Sequence, residues 1–369
     1  MIQHSWLAAR KEEVVTEAAS MTKTSGRLEF LDAARGIAAF AVVFQHFVEV
    51  SYPAFLPWSL HHINFGVFGV VAFFLISGFI IPVSIMKAGR LRTFWGSRFF
   101  RLYPIYWVSL LTVLVLGRLG LMTLPAAFQT HPALAALANL TMFQSFLRTP
   151  DALGVYWTLS LELVFYIFCS LLFLSGLLNR SLLWGWFASG GMALGVLIAG
   201  AAFHRSLPAG HIGLLVTAFL GTTIFSFYSK RQKQKHLYPL FAFALATFAA
   251  GFWFRYQQYP LHAETENYSF AGVLVSWTAA YTLFVVLFLL RAREFPKWTL
   301  WIGRISYSLY LVHGIVLALL PRSLNPLIFS CAGISLSIAI SAVTYQWIEK
   351  PAIDFYRKFR SFNPSPAAR

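Results

Sequence analysis

Charge is scarce in this chain. Only 11% of its 369 residues are Asp, Glu, Lys or Arg, against about 25% in ordinary soluble domains. With 58% of residues hydrophobic, too little polar surface remains to coat one soluble core. That excludes a soluble globular enzyme, a disordered protein and a coiled coil. Cysteine is scarcer still. Cys169 and Cys331 are the two present, both inside apolar stretches, which supports neither a disulfide framework nor a zinc site, and no metal is expected. Residues 1–29 have no apolar core of their own, so a cleavable signal peptide is not indicated, and a short cytosolic tail is expected. Acids are the rarest charged class, 13 against 29 Lys and Arg, for a formal net charge of +16. In a soluble protein that excess would suggest nucleic acid. In a chain this apolar it points to membrane topology, and no nucleic-acid partner is expected.

What the chain has in quantity is apolar length and aromatic rings, 37 Phe and 12 Trp. A membrane-crossing helix needs roughly 20 apolar residues. Ten stretches qualify: about 30–50, 64–86, 103–123, 154–177, 182–203, 211–229, 237–255, 269–290, 302–320 and 326–347. The expected fold is an all-α polytopic membrane protein of about ten transmembrane helices. A shorter apolar stretch, 132–147, lies between Pro132 and Pro150 and reads as a re-entrant or interfacial helix. The expected organisation is a tail over 1–29, a membrane domain over 30–348 and a second tail over 349–369.

The cations divide unevenly between the two sides. With the N-terminus inside, 22 Lys and Arg fall on the near side: in the N-terminal tail, 87–101, Arg180, 230–235, 291–297 and the C-terminal tail. The far side holds five: Arg118, Arg148, Arg205, Arg255 and Arg322. Cations favour cytoplasmic loops, so both termini are expected in the cytoplasm. The acids Asp151, Glu264 and Glu266 fall on the far side.

Ionisable groups within spans are costly, which makes each a functional candidate. Asp32 and Arg35 lie three apart on the first span and can pair on one face. Arg35 and His46 are eleven apart, about 20° off three full turns, and share a stripe roughly 16 Å long. A helix-end ion pair and a packed histidine would explain the same residues. Ser77-Gly78 in the second span reads first as a small-residue packing patch. The run Lys87 to Pro104 is the densest basic cluster, mixing Lys87, Arg90, Arg92, Arg98 and Arg101 with Trp95, Phe99, Phe100 and Tyr103. These cations can enforce topology and touch anionic lipid. They can equally fork onto phosphates with a ring beside an adenine, and Arg98 and Arg101 form the sharper pair on one helix face. Glu162, an acid in the apolar fourth span, is expected at a depth like that of His46 and is a candidate partner for it. Ser306, Tyr310 and His313 form one polar helix stripe, which interhelical hydrogen bonding would also explain.

Six motifs in order resemble those of the acyltransferase 3 family of bacterial membrane proteins, which O-acylate sugars and other hydroxylated acceptors. They are Leu31-Asp32-Ala33-Ala34-Arg35-Gly36 with His46; Phe73 to Phe79; Arg98 to Pro104; Tyr156-Trp157-Thr158-Leu159-Ser160-Leu161-Glu162; Gly303 to His313; and Ile348 to Pro351. The resemblance covers about 27–356. Ala33 stands where relatives often have Gly. About twenty residues follow the last span, so the esterase-like domain that many relatives carry there is not expected.

The resemblance implies a multi-pass enzyme of the bacterial inner membrane. It would move an acyl group, most often acetyl from acetyl-CoA, to a hydroxyl of a surface or lipid-linked carbohydrate. It implies catalytic roles for His46 and Arg35, with Glu162 and Asp32 in support. Arg98, Arg101, Arg35 and Arg92 would handle acyl-CoA, and Tyr310, His313, Ser306 and Trp157 would face the acceptor. Lipid is the remaining expected partner. A transporter or flippase is the rival reading, since it too places ionisable groups in spans. It predicts inverted repeats, and none is visible in the sequence.

Overall fold

A computed structural model of the chain describes residues 28–229, 232–258 and 268–362; the expected N-terminal tail, apart from its last two residues, lies outside them. Every described element is helical. Ten helices are long and apolar enough to cross a membrane. The chain divides into two compact units, Met1–Lys87 with Val164–Gly303, and Ala88–Leu163 with Arg304–Arg369.

The first unit contains α1 (Glu29–Ser51), a short α2 (Phe55–His61) and α3 (Phe65–Ala88). It takes most of α7 (Trp157–Leu174), then α8 (Ser181–Leu197), α9 (Ala209–Tyr228), α10 (Gln234–Trp253) and α11 (Phe270–Leu289). π-turns at Ile198–Ala202 and Phe254–Gln258 extend α8 and α10. Between helices in lipid the hydrophobic effect is weak, so close packing carries the association. Phe30 stands edge-on to Phe79, Phe284 and Phe288 at centroid distances of 5.7, 6.2 and 5.9 Å. Two glycine contacts set the closest approaches. A Cβ on Gly78 or Gly221 would strike the backbone of Ala218 or Leu75, so α3 and α9 touch main chain to main chain. Gly78 is thus the packing contact that the small-residue reading anticipated. At the start of α12 (Lys297–Leu319), Gly303 abuts the carbonyl of Asp32, and Gly36 abuts that of Thr299.

The second unit contains α4 (Leu91–Arg118), α5 (Ala127–Thr130), α6 (Pro132–Leu140), most of α12, α13 (Pro326–Thr344) and α14 (Lys350–Phe362). Two helices reach further than the sequence marks. The helix that puts Arg98 and Arg101 on one face, α4, begins at Leu91, near the start of the basic run, and carries Arg92, Arg98 and Arg101 on its first three turns. The C-terminal stretch continues from α13 through a π-turn, Tyr345–Glu349, into α14. That last helix is amphipathic, a period that an average over apolar content does not register. The ring of Tyr356 sits against Gly96 and stacks on Phe100 at 5.2 Å.

The segment after α6 folds back along α4. The Tyr106 hydroxyl donates to the Asn139 carbonyl at 2.6 Å, Trp107 Nε1 to Leu140 at 3.1 Å and the Tyr103 hydroxyl to Thr141 at 3.0 Å. Those rings lie roughly 17–22 Å back from Arg118 at about 1.5 Å per residue. Asn139 closes the turn, its side chain donating to Ala135 and Pro150 and accepting from the Ala152 amide.

Candidate active site

The stripe expected on the first span is present on α1. Its successive residues are Arg35, Ala39, Val42, His46 and Glu49. Ala39 and Val42 are buried, so this face looks into protein, while Arg35 and His46 at its two ends stay partly open. Arg35 lies 3.5 Å from the buried Asp32. The His46 side chain keeps 34% of its surface accessible, enough for the ring to be reached.

The carboxylate set against His46 on its own helix is Glu49, a residue the sequence reading did not single out. His46 Nδ1 lies 2.7 Å from Glu49 Oε1. The buried Gln45 holds the other carboxylate oxygen, donating through Nε2 to Glu49 Oε2 at 3.0 Å and to Ser59 Oγ at 3.0 Å. Gln45 Oε1 accepts from the Phe65 amide at 3.0 Å. Ser59 belongs to α2, which is tied down in turn: the Ser269 amide donates to the Leu60 carbonyl at 3.0 Å. The Asn64 amide donates to Ser276 Oγ at 2.8 Å. The i, i+3 spacing of His46 and Glu49 was the available signal. At the end of an apolar run an acid carries no mark of its own, and Ser59 falls between the two spans expected over 30–50 and 64–86.

In the second unit, Arg98 and Arg101 fall on the stripe Phe94, Arg98, Arg101, Ile105 of α4. Phe94 and Ile105 are buried and the two arginines half-buried, so the pair faces inward. The Arg98 guanidinium sits over the Phe94 ring, 5.6 Å from its centroid. Arg92 is exposed. Arginines held inward on one face suit planar bidentate contact with phosphate.

The polar stripe on α12 is buried. The Tyr310 hydroxyl pairs with Thr158 Oγ1 at 2.8 Å and reaches the Val155 carbonyl at 3.1 Å, pinning α12 to the start of α7. His313 donates from Nδ1 to the Leu309 carbonyl at 3.1 Å. Ser306 is buried, and Trp157 and Glu162, on the first turns of α7, are half-buried. One further buried acid is Glu349, which accepts from Ser308 Oγ at 2.7 Å. A groove of about 360 Å³ between α4, α12 and α13 is lined by apolar and hydroxyl side chains such as Ile105, Val316 and Thr344. It suits hydrocarbon and offers no proton-transfer group. Among the described residues, no three His, Cys, Asp or Glu gather as a metal site would require.

Outside the spans, Asp151 is half-buried and accepts from Gln144 Nε2 at 2.7 Å. Burial pushes its carboxyl above the usual range, and the hydrogen bonds from Gln144 and Ser145 offset part of that.

The description "Acyltransferase domain", that of the acyltransferase 3 family, matches residues 28–346. "Acyltransferase MdmB" of Streptomyces mycarofaciens is 30% identical over 149 residues, 38% of this chain and 38% of that protein. "Nodulation protein 10" of Rhizobium leguminosarum bv. viciae is 30% identical over 161 residues, 39% of this chain and 44% of that protein. The chain therefore aligns with less than half the length of each. A protein of Acidianus two-tailed virus, provisionally named acetyltransferase ORF330, is 25% identical over 84% of this chain and 87% of its own length. No solved structure matches the chain.

Proposed function

Since the chain belongs to the acyltransferase 3 family, we propose that it is an integral-membrane O-acyltransferase carrying an acyl group, acetyl in the first instance, from cytosolic acyl-CoA to a hydroxyl of a surface or lipid-linked carbohydrate. The observation that carries the reading is the stripe on α1. A reachable imidazole backed by a carboxylate shares one protein-facing side of a transmembrane helix with a partly open arginine.

The chemistry follows from those groups. A hydroxyl is a poor nucleophile until a base takes its proton, and an imidazole, with an ordinary pKa of about 6.5, can do so at neutral pH. His46 accepts the proton as the hydroxyl oxygen attacks the thioester carbonyl. The C–S bond then breaks, and the imidazolium returns the proton to the departing thiolate. Arg98 and Arg101 engage the phosphates of the donor, Arg92 adds charge at the entrance, and Arg35 stabilises anionic groups along the α1 stripe. Asp32 holds Arg35 in place. Glu162 and Trp157 serve the acceptor side, with Ser306, Tyr310 and His313 shaping the protein behind it. The protein acts in the bacterial inner membrane with both termini in the cytoplasm.

Deleting the gene in its host and weighing the surface glycans tests this reading. Loss of an acyl mass, restored by the wild-type gene and not by His46→Ala, is the expected result. Unchanged glycan masses, with labelled glycan failing to cross the membrane, would favour a flippase.

A further inference from the structure

We infer that Glu49 is the positioning residue of this site: it fixes His46 in the Nδ1–H tautomer, so that Nε2 is the unprotonated nitrogen and takes the substrate proton. This rests on the role proposed for His46, and it follows from the direction of each hydrogen bond around the ring. The chain of donors starts at the backbone. The Phe65 N–H donates to Gln45 Oε1, which fixes which end of the Gln45 amide is oxygen. Gln45 Nε2 must then be the end that faces Glu49 Oε2 and Ser59 Oγ, both at 3.0 Å. Ser59 can accept there because its own hydroxyl proton goes to the Leu56 carbonyl. Glu49 Oε2 is thereby the acceptor of an amide proton. An ionised carboxylate only accepts, so Oε1, 2.7 Å from the ring, takes a proton from His46 Nδ1. A neutral imidazole carries one proton, and with it on Nδ1 the other nitrogen presents a lone pair.

The same directionality predicts what an isosteric change does. In Glu49→Gln one carboxylate oxygen becomes an NH₂. If that NH₂ faced Gln45, two donors would oppose each other, because Gln45 cannot turn without losing the Phe65 N–H. The NH₂ therefore faces His46, Nδ1 is forced to accept, and the proton moves to Nε2, the wrong atom for a base. Glu49→Asp keeps an acceptor-only group on a shorter stem.

The test reads the tautomer without turnover. The full chain is labelled with ¹⁵N-histidine in lipid nanodiscs, and the His46 signals are assigned by their loss in His46→Ala. Wild type is expected to show Nδ1–H with unprotonated Nε2, and Glu49→Gln the reverse. With acetyl-CoA and acceptor present, Glu49→Gln is expected to lower kcat by about 10²- to 10⁴-fold, as wrong-tautomer variants do, while KM for either substrate changes less than about threefold. Glu49→Asp is expected to retain at least about tenfold more kcat than Glu49→Gln. A role in packing alone gives the opposite order, since Gln matches Glu in size. An Nε2–H tautomer in the wild type, or Glu49→Gln turning over like wild type, overturns the inference. Full activity in His46→Ala would instead overturn the proposed base and leave the tautomer to be decided by the nitrogen spectrum.

Discussion

At the scale of single residues, the cost of an ionisable group inside a membrane decides what it is for. His46 is expensive in a span unless it is paired, and it lies 2.7 Å from Glu49, which Gln45 holds in turn. Releasing that hold is a milder test than removing the acid. Gln45→Met is expected to lower kcat by about tenfold through loss of orientation, with the donor KM unchanged, as steady-state kinetics in nanodiscs would read. Asp151 makes a different point. Its carboxyl is held above the ordinary range by burial, so the folded state binds a proton more readily than the unfolded chain. The ionised form therefore weakens the fold at neutral pH, and the penalty fades as pH falls through the folded-state pKa. Asp151→Asn is expected to raise the melting temperature at pH 7.5 and to flatten its dependence on acidification. A lower melting temperature at pH 7.5, measured by thermal-shift fluorescence, would show that the charge is wanted there.

At the scale of elements, the ten spans were legible because length and apolarity are the quantities a bilayer imposes, and those quantities survive in any sequence window. The stretch from Pro132 reads as a short helix over 132–147, and its helix, α6, ends at Leu140. The start of α4 was not wholly legible. Arg98 and Arg101 read as a pair on one helix face, but the helix's beginning at Leu91 and the burial of Phe94 and Ile105 beside them carry no mark in composition. Nor was α2, seven residues long, whose Ser59 reaches Gln45 across a turn that no periodicity reports. The pairing of Asp32 with Arg35 could be read from spacing, but the hold of Gln45 on Glu49 depends on the Phe65 amide, a backbone group with no signature. Helix packing carries its own prediction. A Cβ on Gly303 strikes the Asp32 carbonyl, whereas one on Gly190 meets nothing within 4 Å. Gly303→Val is expected to cost about 1–3 kcal/mol by overpacking and to collapse the monodisperse peak in size-exclusion chromatography. Gly190→Ala is expected to leave that peak intact and to stabilise the helix by about 0.5–1 kcal/mol.

At the scale of the whole molecule, the scarcity of charge separates two uses of the cations. On the proposed reading, those in the loops orient the chain, and the half-buried Arg98 and Arg101 on α4 serve an anionic donor. The orientation is open to direct labelling. In a background lacking Cys169 and Cys331, Ala292→Cys is expected to react with an impermeant maleimide only after cells are opened, and Ser323→Cys in intact cells. The reverse pattern would place the basic loops outside and remove the cytosolic donor from the account. The central claim is that His46 drives covalent transfer of an acyl group. Its most direct measurement follows acetyl-labelled acetyl-CoA into the glycan fraction of sealed vesicles bearing either wild-type protein or His46→Ala. Label is expected covalently on glycan with the wild type, with labelling at least about a thousandfold slower for the variant at unchanged donor affinity. Labelling by His46→Ala at the wild-type rate would contradict it.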